Sequence, residues 1–164
     1  MRGNKEAVRA LLLKKADVNA PQVDGTTALH WAVMSNDVEL ADLLLRSGGN
    51  VKAANREGVM PLQLAATNGS AAMIDRLLKA GANVNTPLTA NNDTALMVAA
   101  RTGKADAVKV LLDANADVNA KETWGGTTAL MWAVSEGNLD AVNALLAKGA
   151  NANAQSYFIP AANG

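Results

Sequence analysis

Cysteine is absent from this chain, which excludes disulfides, thiolate metal sites and cysteine nucleophiles. The compartment stays open, because a chain without thiols tolerates either redox setting. Histidine is nearly absent as well, His30 being the single imidazole in 164 residues. Acid–base and nucleophilic mechanisms need a base within reach of a nucleophile or a substrate proton. A lone His with no partner at recognisable spacing supplies none, so no catalytic residue is expected and the chain is read as a non-enzyme. Net charge is also missing, since fifteen basic residues are balanced by fifteen acidic ones. The basic footprint of a nucleic-acid binder is therefore lacking, and no nucleic acid is expected as a partner. No apolar run approaches the roughly 18 residues that a membrane helix needs, and mean hydropathy is +0.03. A soluble chain with no membrane partner is expected. Asp113, Asp117 and Asp140 fall on different faces or turns, without the spacing of a calcium loop. Neither metal nor cofactor is expected.

What the chain has in quantity is periodicity. Five stretches share a V-x-x-L-L-like core followed by a small turn: Gly3 to Ala20, Asn36 to Ala53, Gly69 to Thr86, Gly103 to Ala120 and Gly137 to Ala154. The first Leu of each pair stands at Leu11, Leu44, Leu77, Leu111 and Leu145, in steps of 33, 33, 34 and 34 residues. Such a period marks a repeat architecture, in which a unit too small to bury its own apolar face stacks on its neighbours. Four units are preceded by a second recurring segment: Thr26 to Val33, Val59 to Ala66, Asp93 to Ala100 and Thr127 to Val134. Each full unit is thus expected to hold two short helices. Thr27, Thr94 and Thr128 stand where an N-cap hydroxyl can accept a backbone bond. Met60 cannot cap, but Pro61 follows at the first helical position, where a missing N–H costs nothing. In the second helices, Val8, Leu11 and Leu12, and again Val142, Leu145 and Leu146, fall at i, i+3 and i+4 and share a face.

With these segments in register, the chain resembles the ankyrin repeat family. The family pattern of a D-x-x-G-x-T-P-L-H-x-A-A segment followed by V-x-x-L-L-x-x-G-A-x-x-N-A is matched by Asp24 to Val33 and its partners. The resemblance implies an all-α solenoid of helix-turn-helix units joined by β-hairpin loops, which project as fingers beside a concave groove. It implies recognition of other proteins and no chemistry. The expected organisation is one domain over 1–164: a partial repeat 1–20, repeats 21–54, 55–86, 87–120 and 121–154, and a partial repeat 155–164. A monomer is expected. The N-terminal stretch could be mistaken for a signal peptide, with Arg2 before the apolar Ala10 to Leu13. Arg9 interrupts it, and repeat alignment accounts for the residues from Gly3 onward. The first unit lacks its leading helix and the last stops after Gln155 to Pro160, so neither end carries a full polar cap. A window of a longer protein is favoured, the alternative being that Tyr157, Phe158 and Ile159 fold back over the last helix pair.

The glycines at 48, 58, 69, 81, 103, 125, 137 and 149 are expected at helix ends and turns, with Asn36 and Asn115 in the same left-handed role. Asn19, Asn85, Asn119 and Asn153 are expected to bridge backbone groups within the hairpins. The resemblance places His30 at the family's T-x-L-H position, which implies an imidazole bonded to loop backbone that braces the adjoining repeat. The resemblance assigns partner binding to fingertip residues and to the two residues after each A-A pair. Transferred to this chain they are Asp24, Met34, Ser35, Arg56, Glu57, Val59, Thr67, Asn68, Asn92, Arg101, Thr102, Thr123, Trp124, Ser135 and Glu136. The third and fourth fingers carry one extra residue each. Trp124, with no core to fill, is the sharpest binding candidate, whereas Trp31 and Trp132 are expected to serve in packing. Arg56 and Arg101 are offset by Asp24, Glu57 and Glu136, so the protein partner is expected to present mixed polarity. The alternative function is that of a structural or regulatory segment of a larger polypeptide, with intramolecular contacts.

Overall fold

Caps and apolar spacing produce a series of nine short helices in the computed structural model, which describes residues 5–157. They are α1 (Lys5–Leu13), α2 (Ala28–Met34), α3 (Val38–Arg46), α4 (Pro61–Asn68), α5 (Ala71–Lys79), α6 (Ala95–Arg101), α7 (Ala105–Asp113), α8 (Ala129–Ser135) and α9 (Leu139–Ala147). Even-numbered helices are the first of each repeat and odd-numbered ones the second. The expected caps form at α6 and α8, where Thr94 Oγ1 and Thr128 Oγ1 each accept a backbone N–H, from Met97 and Met131, at 3.3 Å. Pro61 opens α4 with no side-chain cap. Asn36 and Asn115 take left-handed backbone at φ +52° and +63°, as expected of the least costly replacement for glycine. Gly3, Phe158, Ile159 and Pro160 lie outside the described residues.

Contacts divide the chain into two compact units, residues 1–83 and 84–164. In the first, α2 packs on α3 and on α4, α4 on α5, and α3 on α5. In the second, α6 packs on α7 and on α8, α8 on α9, and α7 on α9. Both units therefore stack first helices on first helices and second on second. The A-A pairs permit close approach: Ala65, Ala66, Ala99 and Ala100 are fully buried, and between the layers lie Leu44, Leu77, Leu111 and Leu145. Leu11, at the same register position, is exposed, and α1 buries no residue at all. Its apolar residues do share a face, but no first helix of its own repeat precedes it among the described residues. Lys5 instead ties α1 to α3 through Asp37, at 3.2 Å, and Glu39.

Side chains also link one repeat to the next. Asn19 accepts the N–H of Asn50 at 2.7 Å and donates to Gly48 O at 3.0 Å. Asn85 treats Asp117 N–H and Asn115 O alike, and Asn119 does the same with Asn151 N–H and Gly149 O. These asparagines thus bridge successive repeats, not the groups of a single hairpin as expected. The amide supplies a donor and an acceptor at once, and the facing turn presents one of each. His30 braces as expected. Its Nδ1 accepts from Thr27 N–H, at 3.2 Å, and lies 2.8 Å from the Thr27 hydroxyl; Nε2 is 3.1 Å from Val59 O in the next repeat. The carbonyl can only accept, so Nε2 carries the proton and donates.

Gln63 holds the same register position and does less well, because its Oε1 is buried with no hydrogen-bond partner among the described residues. Met97 and Met131 fill that position in later repeats without a polar atom to satisfy. Gln63→Met is accordingly expected to raise unfolding free energy by about 1 kcal/mol, from relief of an unpaired buried acceptor. Urea denaturation would register this as a higher midpoint, and a lower midpoint would refute it.

Candidate functional site

The loops between repeats reverse so tightly that each is closed by one backbone pair. Gln22 N–H donates to Thr26 O, Asn55 to Val59, Leu88 to Asp93 and Glu122 to Thr127, at 2.8 to 3.2 Å. Fingers one and two therefore span five residues and fingers three and four span six, which places the extra residue inside the turn. A single pair is too short for a ladder, so the hairpin-like reversals form no strand among the described residues. Within each unit, adjacent fingers are joined by backbone: Arg56 N–H donates to Asp24 O and Thr123 N–H to Asn91 O, both at 2.8 Å.

Each finger is locked by a different side chain. Asp24 accepts from Thr26 N–H and from its hydroxyl, both at 2.9 Å, and those bonds hold its carboxyl below the ordinary aspartate range. Asn55 Oδ1 accepts from Glu57 N–H at 3.0 Å and Val59 N–H at 2.8 Å. The Thr89 hydroxyl donates to Asp93 at 2.7 Å. In the fourth finger the lock is Glu122, only 6% exposed. Its Oε2 accepts from Trp124 N–H at 2.6 Å and Gly125 N–H at 3.0 Å; Oε1 accepts from Gly125 N–H and Thr127 N–H, both at 2.8 Å. Burial alone would push this carboxyl up, but the N–H groups of Thr127, Gly125 and Trp124 outweigh it and hold the carboxyl down. Sequence reading overlooked Glu122. A signal existed in its place at the base of a finger, shared with Gln22 and Asn55, ahead of a Gly-Gly pair.

The left-handed residue of this finger is Gly126, at φ +67°, and not Gly125. Gly125 is needed for a different reason, since a Cβ there would come within 3.1 Å of Glu122 Oε1. Tyr157 also joins the finger. Its N–H donates to Gly125 O at 2.6 Å, its ring lies over Gly126, and Lys121 Nζ sits 5.7 Å from the ring centroid. The described contacts of Tyr157 thus fall on the fourth finger and not over the last helix pair.

The fifteen candidate positions separate into engaged and free side chains. Ser35, Thr67 and Thr102 turn their hydroxyls back onto carbonyls of their own helices, at Trp31 and Ala32, at Gln63, and at Ala99. Asn68 caps the preceding repeat by donating to Val33 O at 3.0 Å and Met34 O at 3.4 Å, a structural duty that the transferred pattern does not foresee. Asp24 is spent on Thr26, and Val59 is half-buried with its N–H given to Asn55 and its carbonyl to His30. Asn92 sits at φ +60° as the left-handed residue of its turn. Met34, Arg56, Glu57, Arg101, Thr123, Trp124, Ser135 and Glu136 are exposed. In the first unit, an open cleft between fingers is lined by Gln22, Val23, Asp24, Asn55, Arg56 and Glu57.

Among the tryptophans, Trp124 is 74% exposed at the tip of the fourth finger. Trp31, expected in packing, is 48% exposed and shares the outer face of α2 with Met34, at 49%. Trp31 and Met34 are three residues apart, so one helix face carries both; shared register with the buried Val98 misled the sequence reading. Trp132 is half-buried and stacks beneath Arg101, whose guanidinium carbon lies 5.4 Å from the indole centroid.

Among the described residues, no three His, Asp or Glu side chains are grouped to hold a metal, and no helix is long and apolar enough to cross a membrane. Compared with known proteins, a family model described as ankyrin repeats (three copies) matches residues 1–88 and again 62–156. No curated protein matches the chain.

Proposed function

The chain belongs to the ankyrin-repeat family, and on that premise we propose that it is a non-catalytic module that binds a protein partner through its fingers and the exposed faces of its first helices. Ankyrin repeats are in general protein-interaction modules. The observation that carries the reading here is Trp124, an exposed indole on a backbone clamped by a buried carboxylate. Large aromatics held in one pose lose little entropy on binding and dominate interface energies. Trp31 and Met34 offer a second apolar patch on the first unit. The one imidazole, His30, is buried with both ring nitrogens engaged, which supports a module without catalysis. The charge balance favours protein over nucleic acid, and the module is taken to act as a monomer.

Panning a displayed library of protein fragments against the whole chain tests the reading. Trp124→Ala is expected to weaken the selected binders about tenfold, as truncation of an interface anchor does, while the melting temperature stays unchanged. Failure to select any binder, or binders indifferent to Trp124→Ala and to Met34→Ala alike, would remove the proposed surface.

A further inference from the structure

Arg101 is the one cation of the second unit's first-helix face, and it is held without a counter-ion. Its guanidinium carbon lies over the Trp132 ring, 5.4 Å from the centroid, yet no described carboxylate pairs with it. Lys109 and Lys148 of the same unit, by contrast, are paired with Asp106 at 3.5 Å and Asp113 at 2.9 Å. A guanidinium set against an aromatic face leaves its N–H groups available to a carboxylate, which can accept two parallel bonds from them. Ser135, three residues beyond Trp132 on α8, is exposed and makes no hydrogen bond through its hydroxyl among the described residues. Glu136, four beyond Trp132, is exposed and unpaired in the same way. Both follow the indole by about one helical turn and lie toward its side of α8. Both charges stand at the C-terminal ends of their helices, Arg101 without an anion and Glu136 without a cation among the described residues.

We propose that the α6–α8 face docks a polypeptide segment carrying adjacent opposite charges, an Asp or Glu set on Arg101 and a Lys or Arg set on Glu136. This deepens the protein-binding reading above and rests on it. Salt-sensitive charge complementarity then selects the partner, while the Trp132 ring supports the guanidinium from one side. A segment with two neighbouring acids would be disfavoured by Glu136, and a polybasic one by Arg101.

The test is to pan a random dodecapeptide phage library against the full chain at low salt and to measure the selected peptides by titration calorimetry. Selected sequences are expected to pair an acidic with a basic residue. Arg101→Gln should weaken them about tenfold, Arg101→Lys by less, since the charge stays but the planar edge is lost. Arg101→Glu should regain affinity for a peptide whose acidic residue is changed to Lys. Circular dichroism would verify that each variant keeps the wild-type fold, as expected at an exposed position. Peptides that lack an acidic residue, or that bind Arg101→Gln as well as wild type, would overturn the charge-pair proposal while leaving protein binding intact. Selection of no peptide at all, together with no binder from the fragment library, would overturn both.

Discussion

Leu111→Ala is expected to lower the unfolding free energy by about 2 to 5 kcal/mol, the range for truncating a fully buried leucine whose site cannot collapse. Leu111 has no exposed surface and sits in α7, which packs on α6 on one side and α9 on the other. Ala99 and Ala100 of α6, the helix on which α7 packs, are also without exposed surface. Such small residues have no side-chain freedom with which to refill a void. Repeat proteins distribute stability over nearest-neighbour interfaces, so the loss should be concentrated in the second unit. Hydrogen exchange followed by mass spectrometry checks this: protection should fall in α6 to α9 more than in α2 to α5. A uniform loss, or a change below about 1 kcal/mol, would contradict the assignment of Leu111 to a packed core. The contrast with Leu11 sharpens the test, because Leu11→Ala, at the same register position but exposed, should cost no more than about 0.5 kcal/mol.

Glu122→Ala is expected to destabilise by about 2 kcal/mol at neutral pH, because it strips a buried, charge-assisted acceptor from three backbone N–H groups of the turn. Those donors belong to Trp124, Gly125 and Thr127, so the mutation should also loosen the backbone that carries the Trp124 indole. Glu122→Gln should fall between, since one carbonyl oxygen survives but the amide NH2 faces other donors. The acid dependence follows from the direction of the shift. The folded carboxyl titrates below its ordinary range, so its stabilisation is present in full above that range and disappears as pH falls through the folded value. Urea titrations of wild type and Glu122→Ala should therefore differ most near neutrality and converge in acid. A difference that stays constant with pH would mean that the carboxylate is not the locking group.

The two experiments probe features of very different legibility. Leu111 is readable from the chain alone: the V-x-x-L-L step places it on an apolar face, and burial of that face is what makes stacked units stable. The helix pairs, the caps at Thr94 and Thr128 and the left-handed Asn36 and Asn115 are legible for the same reason, since each is dictated by residues within one repeat or by its fixed period; the bracing by His30 follows from the family resemblance. Glu122 was not, because a lone Glu in a polar loop resembles any solvated charge until the turn folds around it. Trp31 is half exposed although it shares its register with the buried Val98, because register along the chain does not fix burial.

The candidate surface divides along the same line. The resemblance to the ankyrin family named the positions that border the first helices and the finger tips, and Trp124 stood out among them as a large aromatic at a fingertip. It could not tell that Asn68 caps α2, that Ser35, Thr67 and Thr102 turn inward, or that Arg101 lies over Trp132. Those facts depend on distances between side chains on successive helices and loops, which no spacing along the chain specifies.

By itself, then, the amino-acid sequence determined the repeat, its two-helix unit and its register, because local propensity and a 33- to 34-residue apolar period act at short range and recur in every copy. Tertiary structure alone decided which exposed groups are free. A hydrogen bond or a stack forms only where folding brings a donor, an acceptor or a ring to within a few ångströms, and at this surface that selection left Trp124, Arg101 and Glu136 facing outward.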